Sequence, residues 1–333
     1  MGDLILVTGG AGYIGSHAVR ALADNGHDVV VFDLRSMPFA AALDRITAVL
    51  GDVRDTPTLA DLLRRERIDG VVHFAGLRSV AESMRDPGSY FDTNLMGSIS
   101  VLRAMAEAGT PSLVFSSSCS VYGSPARVPA DETLPFAPES PYAASKVAVE
   151  HVLPWFVERH GLRVTSLRYF NAAGASLDGT LGEDWDRSPM LIPNLIKAAL
   201  GRRAPLDIYG SDYPTPDGSA IRDYVHVVDL ADAHVRALDA IASQPAGSVA
   251  AVNLGTGVGS SVREVIALVE VIGGRPVPVH WTARRPGDPA EVWADPTRAS
   301  TTLRWHARYD LRAMIETAWA WHSRVSPMDA PGR

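Results

Sequence analysis

Two groups of residues in this 333-residue chain have the types and spacing to do chemistry. Tyr142 and Lys146 stand four residues apart, which on a helix puts a phenol and an ammonium on one face. A phenol is protonated at neutral pH, its ordinary pKa being ~10. A cation one turn along, joined by the positive charge of a nicotinamide ring, favours the phenolate and makes Tyr142 a usable base. The second group, Gly9, Gly12 and Gly15 with Tyr13 and Ile14 between them, follows the apolar run Leu4–Val7 and opens a helical stretch. Small residues in that context let backbone N–H groups and a helix N-terminus meet a dinucleotide pyrophosphate. The pair points to a bound nicotinamide with an acid–base group beside it.

Three further positions fit that reading. Asp33, ending the second apolar run, can accept both hydroxyls of an adenosine ribose and repels the extra phosphate of NADP, so NAD is the expected cofactor. Arg35 lies close enough to accommodate that phosphate. Asp52 and Val53 are placed to meet the adenine, although Asp52 reads equally well as a helix N-cap. Ser118, just past the run Leu113–Ser116, can hydrogen-bond the same substrate hydroxyl as Tyr142, and Lys146 can also bond ribose hydroxyls. Alone, Tyr-x-x-x-Lys is a common amphipathic surface pair; the glycines upstream and Ser118 favour the catalytic reading.

The elements that must position these groups alternate. Strands are expected at Leu4–Val7, Asp28–Phe32, Val71–Ala75, Leu113–Ser116 and Val164–Tyr169, and helices at Ile14–Asn25, Leu59–Arg67, Pro87–Ala108 and Pro141–Arg159. Continuous apolar strands separated by helices imply a parallel sheet covered on both faces, an α/β doubly wound, Rossmann-type fold. Such sheets bind ligands beyond the carboxyl ends of their strands, where Gly9, Asp33, Gly76, Ser118 and Asn171 stand. After Asn171 the chain turns rich in Gly, Pro and Asp, with one helix near Ile192–Leu200. A return strand is expected at Tyr224–Val228, a helix at Asp229–Ala242 and a strand at Ala250–Leu254. The expected organisation is a cofactor-binding domain over 1–171, with return segments at about 224–255, and a smaller interleaved substrate-binding domain within 172–333.

Hydrophobic content of 46%, charged content of 21% and a net charge of −7 without a basic stripe make nucleic acid an unexpected partner. No run approaches the ~20 apolar residues that span a bilayer, and Leu4–Val7 reads as a strand, not a signal peptide. The single cysteine, Cys119, fits a reducing compartment, so a cytoplasmic location is expected. No His/Cys/carboxylate cluster has metal-ligand spacing, and no metal is expected.

From Leu4 to about Trp321 the chain resembles the UDP-glucose 4-epimerase family of the extended short-chain dehydrogenases/reductases. The resemblance rests on Val7-Thr8-Gly9-Gly10-Ala11-Gly12-Tyr13-Ile14-Gly15-Ser16-His17, His73-Phe74-Ala75-Gly76-Leu77, Phe115-Ser116-Ser117-Ser118 with Val121-Tyr122-Gly123, and Ser140-Pro141-Tyr142. It continues through Arg168-Tyr169-Phe170-Asn171, Asp212-Tyr213-Pro214-Thr215, Arg222-Asp223-Tyr224-Val225-His226-Val227, Asn253-Leu254-Gly255-Thr256-Gly257 and Arg284-Arg285-Pro286-Gly287-Asp288. It implies NAD-dependent interconversion of UDP-glucose and UDP-galactose through a 4-keto sugar, with Tyr142, Lys146 and Ser118 catalytic. It adds Phe74, Ala75, Gly76, Arg78, Asn94 and Tyr169 to the NAD site. For the nucleotide sugar it implies Asn171, Leu191, Leu206, Tyr209, Arg222, Arg285 and Asp288, with the arginines at the diphosphate, Tyr209 beside the uracil and Asp288 at the uridine ribose. Val292 is implied beside the C2 substituent of the hexose, where its small size admits an N-acetyl group. The family's usual homodimer would use the helices at Pro87–Ala108 and Pro141–Arg159.

Two positions depart from the family. Arg78 stands where a lysine is common near the nicotinamide ribose, and Met190 stands where a polar residue is common near the diphosphate, leaving the Leu191 backbone to make that contact. Among alternatives, a nucleotide-sugar dehydratase carries an Asp-Glu pair after the strand-end residue, whereas Ser118 precedes Cys119-Ser120. A non-catalytic NAD sensor typically loses the Tyr/Lys pair, which this chain keeps.

Overall fold

The computed structural model describes residues 2–37, 45–185, 188–285 and 287–324. The first half alternates as β1 (Leu4–Thr8), α1 (Tyr13–Asp24), β2 (Asp28–Asp33), β3 (Ile46–Leu50), α2 (Thr56–Glu66), β4 (Gly70–His73), the short α3 (Val80–Ser83) and α4 (Pro87–Tyr90), then α5 (Gly97–Ala108), β5 (Ser112–Ser118), α6 (Pro141–His160) and β6 (Arg163–Tyr169). The second half runs β7 (Asn171–Ala173), α7 (Leu191–Ala199), β8 (Leu206–Tyr209), β9 (Ile221–His226), α8 (Val227–Ala242), β10 (Val249–Leu254), β11 (Gly259–Ser261), α9 (Val262–Gly273), β12 (Val279–Thr282), β13 (Glu291–Val292), α10 (Thr297–Leu303) and α11 (Leu311–Arg324).

Seven parallel strands form the main sheet in the order β10-β6-β5-β4-β1-β2-β3. Strand order reverses between β1 and β4, opening a crevice at their carboxyl ends. Alternation along each strand feeds two cores. Ile5, Val7, Val29 and Val31 pack toward the α1 and α8 side, while Leu6, Val30 and Phe32 pack toward α2, α5 and α6. Apolar residues on both faces are what a strand covered by helices on each side requires.

β9 anchors a four-stranded sheet with β7, β11 and β13, and β8 pairs with β12. A third core gathers α7, α9 and α11. Among the described residues no helix is long and apolar enough to cross a membrane.

Several expected bounds shift for local reasons. The strand expected at Tyr224–Val228 runs Ile221–His226 in the second sheet, and it is α8 and β10 that rejoin the main one. The stretch 174–220 holds a strand, β8, as well as α7. α2 begins at Thr56 because Asp55 accepts the Thr58 N–H and Pro57 is tolerated in a first turn. Asp52 is therefore not the N-cap. Over Pro87–Ala108 the helix passes through a π-helical turn, Phe91–Met96, before α5.

Candidate active site

At the carboxyl end of β1 the glycine loop turns back on the sheet. Gly9 has φ +72°, and a Cβ there would lie 2.5 Å from the Ala75 nitrogen, so only glycine permits this approach. A Cβ at Gly15 would lie 2.3 Å from the Gly9 carbonyl oxygen. Gly12 caps α1 without a side chain, and the first turn carries no acid. The N-terminus of a twelve-residue helix is thus left with unsatisfied N–H groups and its positive dipole end, a fit for a pyrophosphate. Ile14 packs against the core below, and the Tyr13 hydroxyl donates to the Gly174 carbonyl at 2.7 Å, tying the loop to the segment after β7.

Asp33 closes this end. Its carboxylate accepts the Ala11 and Arg35 N–H groups, each at 3.0 Å, while Arg35 Nη2 donates to the Ala11 carbonyl. Asp52 pairs with Arg54, which holds its carboxyl below the ordinary range, and Val53 is buried beside Gly97. Phe74 follows β4 and packs tilted against the buried His234, ring centres 4.5 Å apart.

At the carboxyl ends of β4, β5 and β6 the chemical groups converge. A Cβ on Gly76 would sit 2.9 Å from Asn94 Oδ1 and 3.8 Å from Lys146 Nζ. The π-helical turn directs Asn94 inward, where its Oδ1 accepts the Leu77 N–H at 2.7 Å and its amide donates to the Leu77 carbonyl and the Ser145 hydroxyl, each at 3.0 Å. Asn94 therefore fixes the loop that carries Gly76, its amide being taken up by protein. Lys146 donates to the Ser116 carbonyl at 2.8 Å, and the Ser116 hydroxyl meets the Tyr169 phenol. Burial lowers the Lys146 ammonium to about 8.

Ser118 lies beside the Tyr142 phenol and favours its ionised form, while its hydroxyl oxygen accepts the Ser120 N–H at 3.2 Å and the Ser120 hydroxyl at 2.9 Å. Burial pushes the Tyr142 phenol above its ordinary value; Ser118 and, more weakly, the Arg78 charge pull it back. Lys146 donates to Ser116 one turn along α6, and a second cation, Arg78, acts on the phenol from the loop after β4. Arg78 itself is paired through Nη2 with the buried Glu183 at 2.8 Å.

The implied nucleotide-sugar residues form the far side. Asn171, Leu191 and Met190 line one small cavity with Tyr224. Arg222 projects from β9, and its charge reaches Cys119, the neighbour of Ser118, so this side abuts the catalytic centre. Arg285 stacks over Tyr209 at 3.8 Å, and Asp288 acts on the Tyr213 phenol across the same loop; Pro286 lies outside the described residues. Two of the implied side chains also pack into cores. Leu206 packs into the second-lobe core on the β8 face opposite Tyr209, because odd spacing along a strand reverses the face. Val292 is buried among Val121, Tyr122, Val147 and Phe170, with Cys119 packed against the same cluster.

Sequence reasoning missed Glu183 and Tyr90, the latter with its ring edge-on to Tyr142 at 6.4 Å. Neither lies in a motif. Ser145, which links Asn94 to the Tyr142 carbonyl, was inside the Tyr/Lys pattern and could have been found there.

An anion cradle at the switch point of a doubly wound sheet, with a buried Ser–Tyr centre beside it, defines a dinucleotide-binding α/β protein equipped for proton transfer. The chain belongs to the NAD dependent epimerase/dehydratase family, whose model matches residues 5–255. It is 43% identical to the UDP-glucose 4-epimerase of Halalkalibacterium halodurans over 319 residues, covering 96% of this chain and 95% of that protein. Its fold superposes on UDP-glucose 4-epimerase from Brucella ovis in complex with NAD (TM-score 0.90, 44% identity, 95% of this chain and 97% of that one). A similar match, with TM-score 0.91 at 38% identity, is to the Bifidobacterium longum enzyme in complex with NAD+ and UDP, covering 97% and 98% of the two chains.

Proposed function

We propose that this chain catalyses the reversible C4 epimerisation of UDP-glucose and UDP-galactose with NAD as a resident cofactor. What supports the reading is Tyr142, buried beside Ser118, on the same sheet edge as an α1 N-terminus that no side chain caps. When bound, NAD supplies a hydride acceptor for C4 of the sugar and then a donor to its opposite face. The glycine loop with Tyr13 and Ile14 holds the pyrophosphate, Asp33 the adenosine ribose, Asp52 and Val53 the adenine. Phe74, Ala75 and Gly76 line the nicotinamide end, which Arg78, Asn94, Lys146 and Tyr169 frame. Tyr142 takes the C4 hydroxyl proton, with Ser118 beside it, and returns the proton after the 4-keto sugar has turned over.

Arg222 and Arg285 hold the diphosphate, since guanidinium groups pair with phosphate oxygens in a fixed fork. Asn171 and the Leu191 backbone support them, Tyr209 shelves the uracil and Asp288 takes the uridine ribose. Anchoring at the nucleotide leaves the hexose able to rotate. We assign the cofactor lobe to residues 1–171 with α8 and β10, and the substrate lobe to the rest. A pocket bounded by Val292 extends activity to UDP-N-acetylhexosamines. Exposed Phe91, Met96 and Trp155 on the helices around α5 and α6 support a homodimer, and one cysteine suits the cytoplasm. Incubation with UDP-galactose, followed by assay for UDP-glucose, tests the reading; no conversion by NAD-loaded protein would overturn it.

A further inference from the structure

Glu183 is a carboxylate 3% exposed, contributed by the segment between β7 and α7, and its ion-pair partner is Arg78, 105 residues away in the chain. Burying a carboxylate costs several kcal/mol unless it is paired and held. The segment that carries it is fastened on every side. Tyr13 donates to the Gly174 carbonyl, Arg20 pairs with Asp178 at 2.8 Å and donates to Thr180, and the Glu183 carbonyl accepts the Trp321 indole N–H at 2.8 Å. Arg78 stands on a loop fixed from the other side. The next residue, Ser79, donates its N–H to the Tyr90 hydroxyl at 2.9 Å, and the Tyr90 ring lies edge-on to Tyr142. Arg78 is thus seated by one lobe and carried by the other on a loop that touches Tyr90, the ring beside Tyr142.

We propose that Glu183 is a positioning residue: by seating the Arg78 guanidinium it keeps a cation at the edge of Tyr142. This rests on Tyr142 being the base. Around the phenol stand Ser118 and Cys119 after β5, Tyr169 from β6, Tyr90 from α4, Arg78 from the β4 loop, and Lys146 one turn along α6. The charge of Arg78 favours the ionised form of both Tyr142 and Tyr169, so part of the field at the centre comes from a side chain whose place another lobe decides.

The test is an ultraviolet difference titration of the phenolate in cofactor-free protein, with Tyr142→Phe as the blank, beside the pH profile of kcat in the NAD-loaded enzyme. Glu183→Leu, which cannot accept a hydrogen bond, is expected to move the Tyr142 titration and the acid limb of kcat to higher pH. Turnover at pH 7 should fall about three- to tenfold. Arg78→Met is expected to give the same upward shift, and the double variant no more than either. Arg78→Lys should restore most of it. Glu183→Gln, which keeps an oxygen acceptor, should titrate at or below wild type.

A Glu183→Leu titration at the wild-type position, shifts that add in the double variant, or a Gln variant moved as far as Leu would each overturn the proposal. Should Glu183→Leu fail to fold, Arg78→Met, altered on a half-exposed side chain, still decides, because an unmoved titration there removes the cation from the argument. If Tyr142→Phe instead keeps its turnover, it is the choice of base that falls, and the two failures are told apart.

Discussion

Lys146 Nζ donates to the Ser116 carbonyl at 2.8 Å, and the hydroxyl of the same serine meets the Tyr169 phenol. One residue of β5 thereby links the lysine of the motif to a tyrosine of β6, and a buried ammonium is held at the carboxyl ends of both strands. Lys146→Met should remove this anchor. Cofactor content of purified protein is expected to fall together with turnover; unchanged content and an unchanged pH profile would refute a role at the cofactor.

Tyr142→Phe removes the proton acceptor while leaving ring packing against Tyr90 in place. Turnover should drop ~10²–10⁴-fold, as for loss of a general acid–base group, with NAD content close to wild type. A variant keeping more than about a tenth of the activity would clear Tyr142 of that role.

Cofactor choice follows from Asp33. Its carboxylate is already oriented by the Ala11 and Arg35 N–H groups, so it presents a fixed negative charge at the end of β2. Protein stripped of cofactor should regain activity with NAD and regain little with NADP. Equal recovery would hand control of the ribose pocket to Arg35.

Val292 is buried in a cluster that Cys119 also touches, one residue from Ser118. Wild type should act measurably on UDP-N-acetylglucosamine, and Val292→Tyr should abolish that activity while sparing UDP-glucose. Identical discrimination by both proteins would mean that Val292 only fills core. Overpacking is the competing effect, at about 1–3 kcal/mol, so thermal stability should be read alongside.

Five buried histidines make stability sensitive to acid. Burial lowers His17, His226 and His234 to about 4 and His73 and His322 to about 3, against an ordinary 6.5. A folded-state pKa below the unfolded one means the unfolded chain takes up protons first. The contribution is therefore complete above pH 6.5 and is lost as pH falls from 6.5 through about 4 for His17, His226 and His234 and through about 3 for His73 and His322. Each histidine kept neutral adds a slope of about 1.4 kcal/mol per pH unit in that window. Urea midpoints should decline steadily from pH 6.5 to 4; a midpoint flat down to pH 5 would contradict this.

The sequence by itself determined what depends on short spans of chain. Gly9, Gly12 and Gly15 act through backbone geometry that a few consecutive residues define, and short apolar runs such as Val29–Phe32, set between turn signals, read as strands covered on both faces. Tyr142 and Lys146 share a helix, so their spacing alone put them on one side of it. The tertiary structure decided the partners. Asn94 clamping Leu77, Lys146 turning to Ser116 and Arg78 meeting Glu183 join residues 17, 30 and 105 positions apart, and no local pattern marks an asparagine or a glutamate for such a partner. The same holds for faces. Leu206 and Val292 show it: strand alternation and the packing of neighbouring elements decided which clusters their side chains join, because the side a short strand presents is set by what covers it.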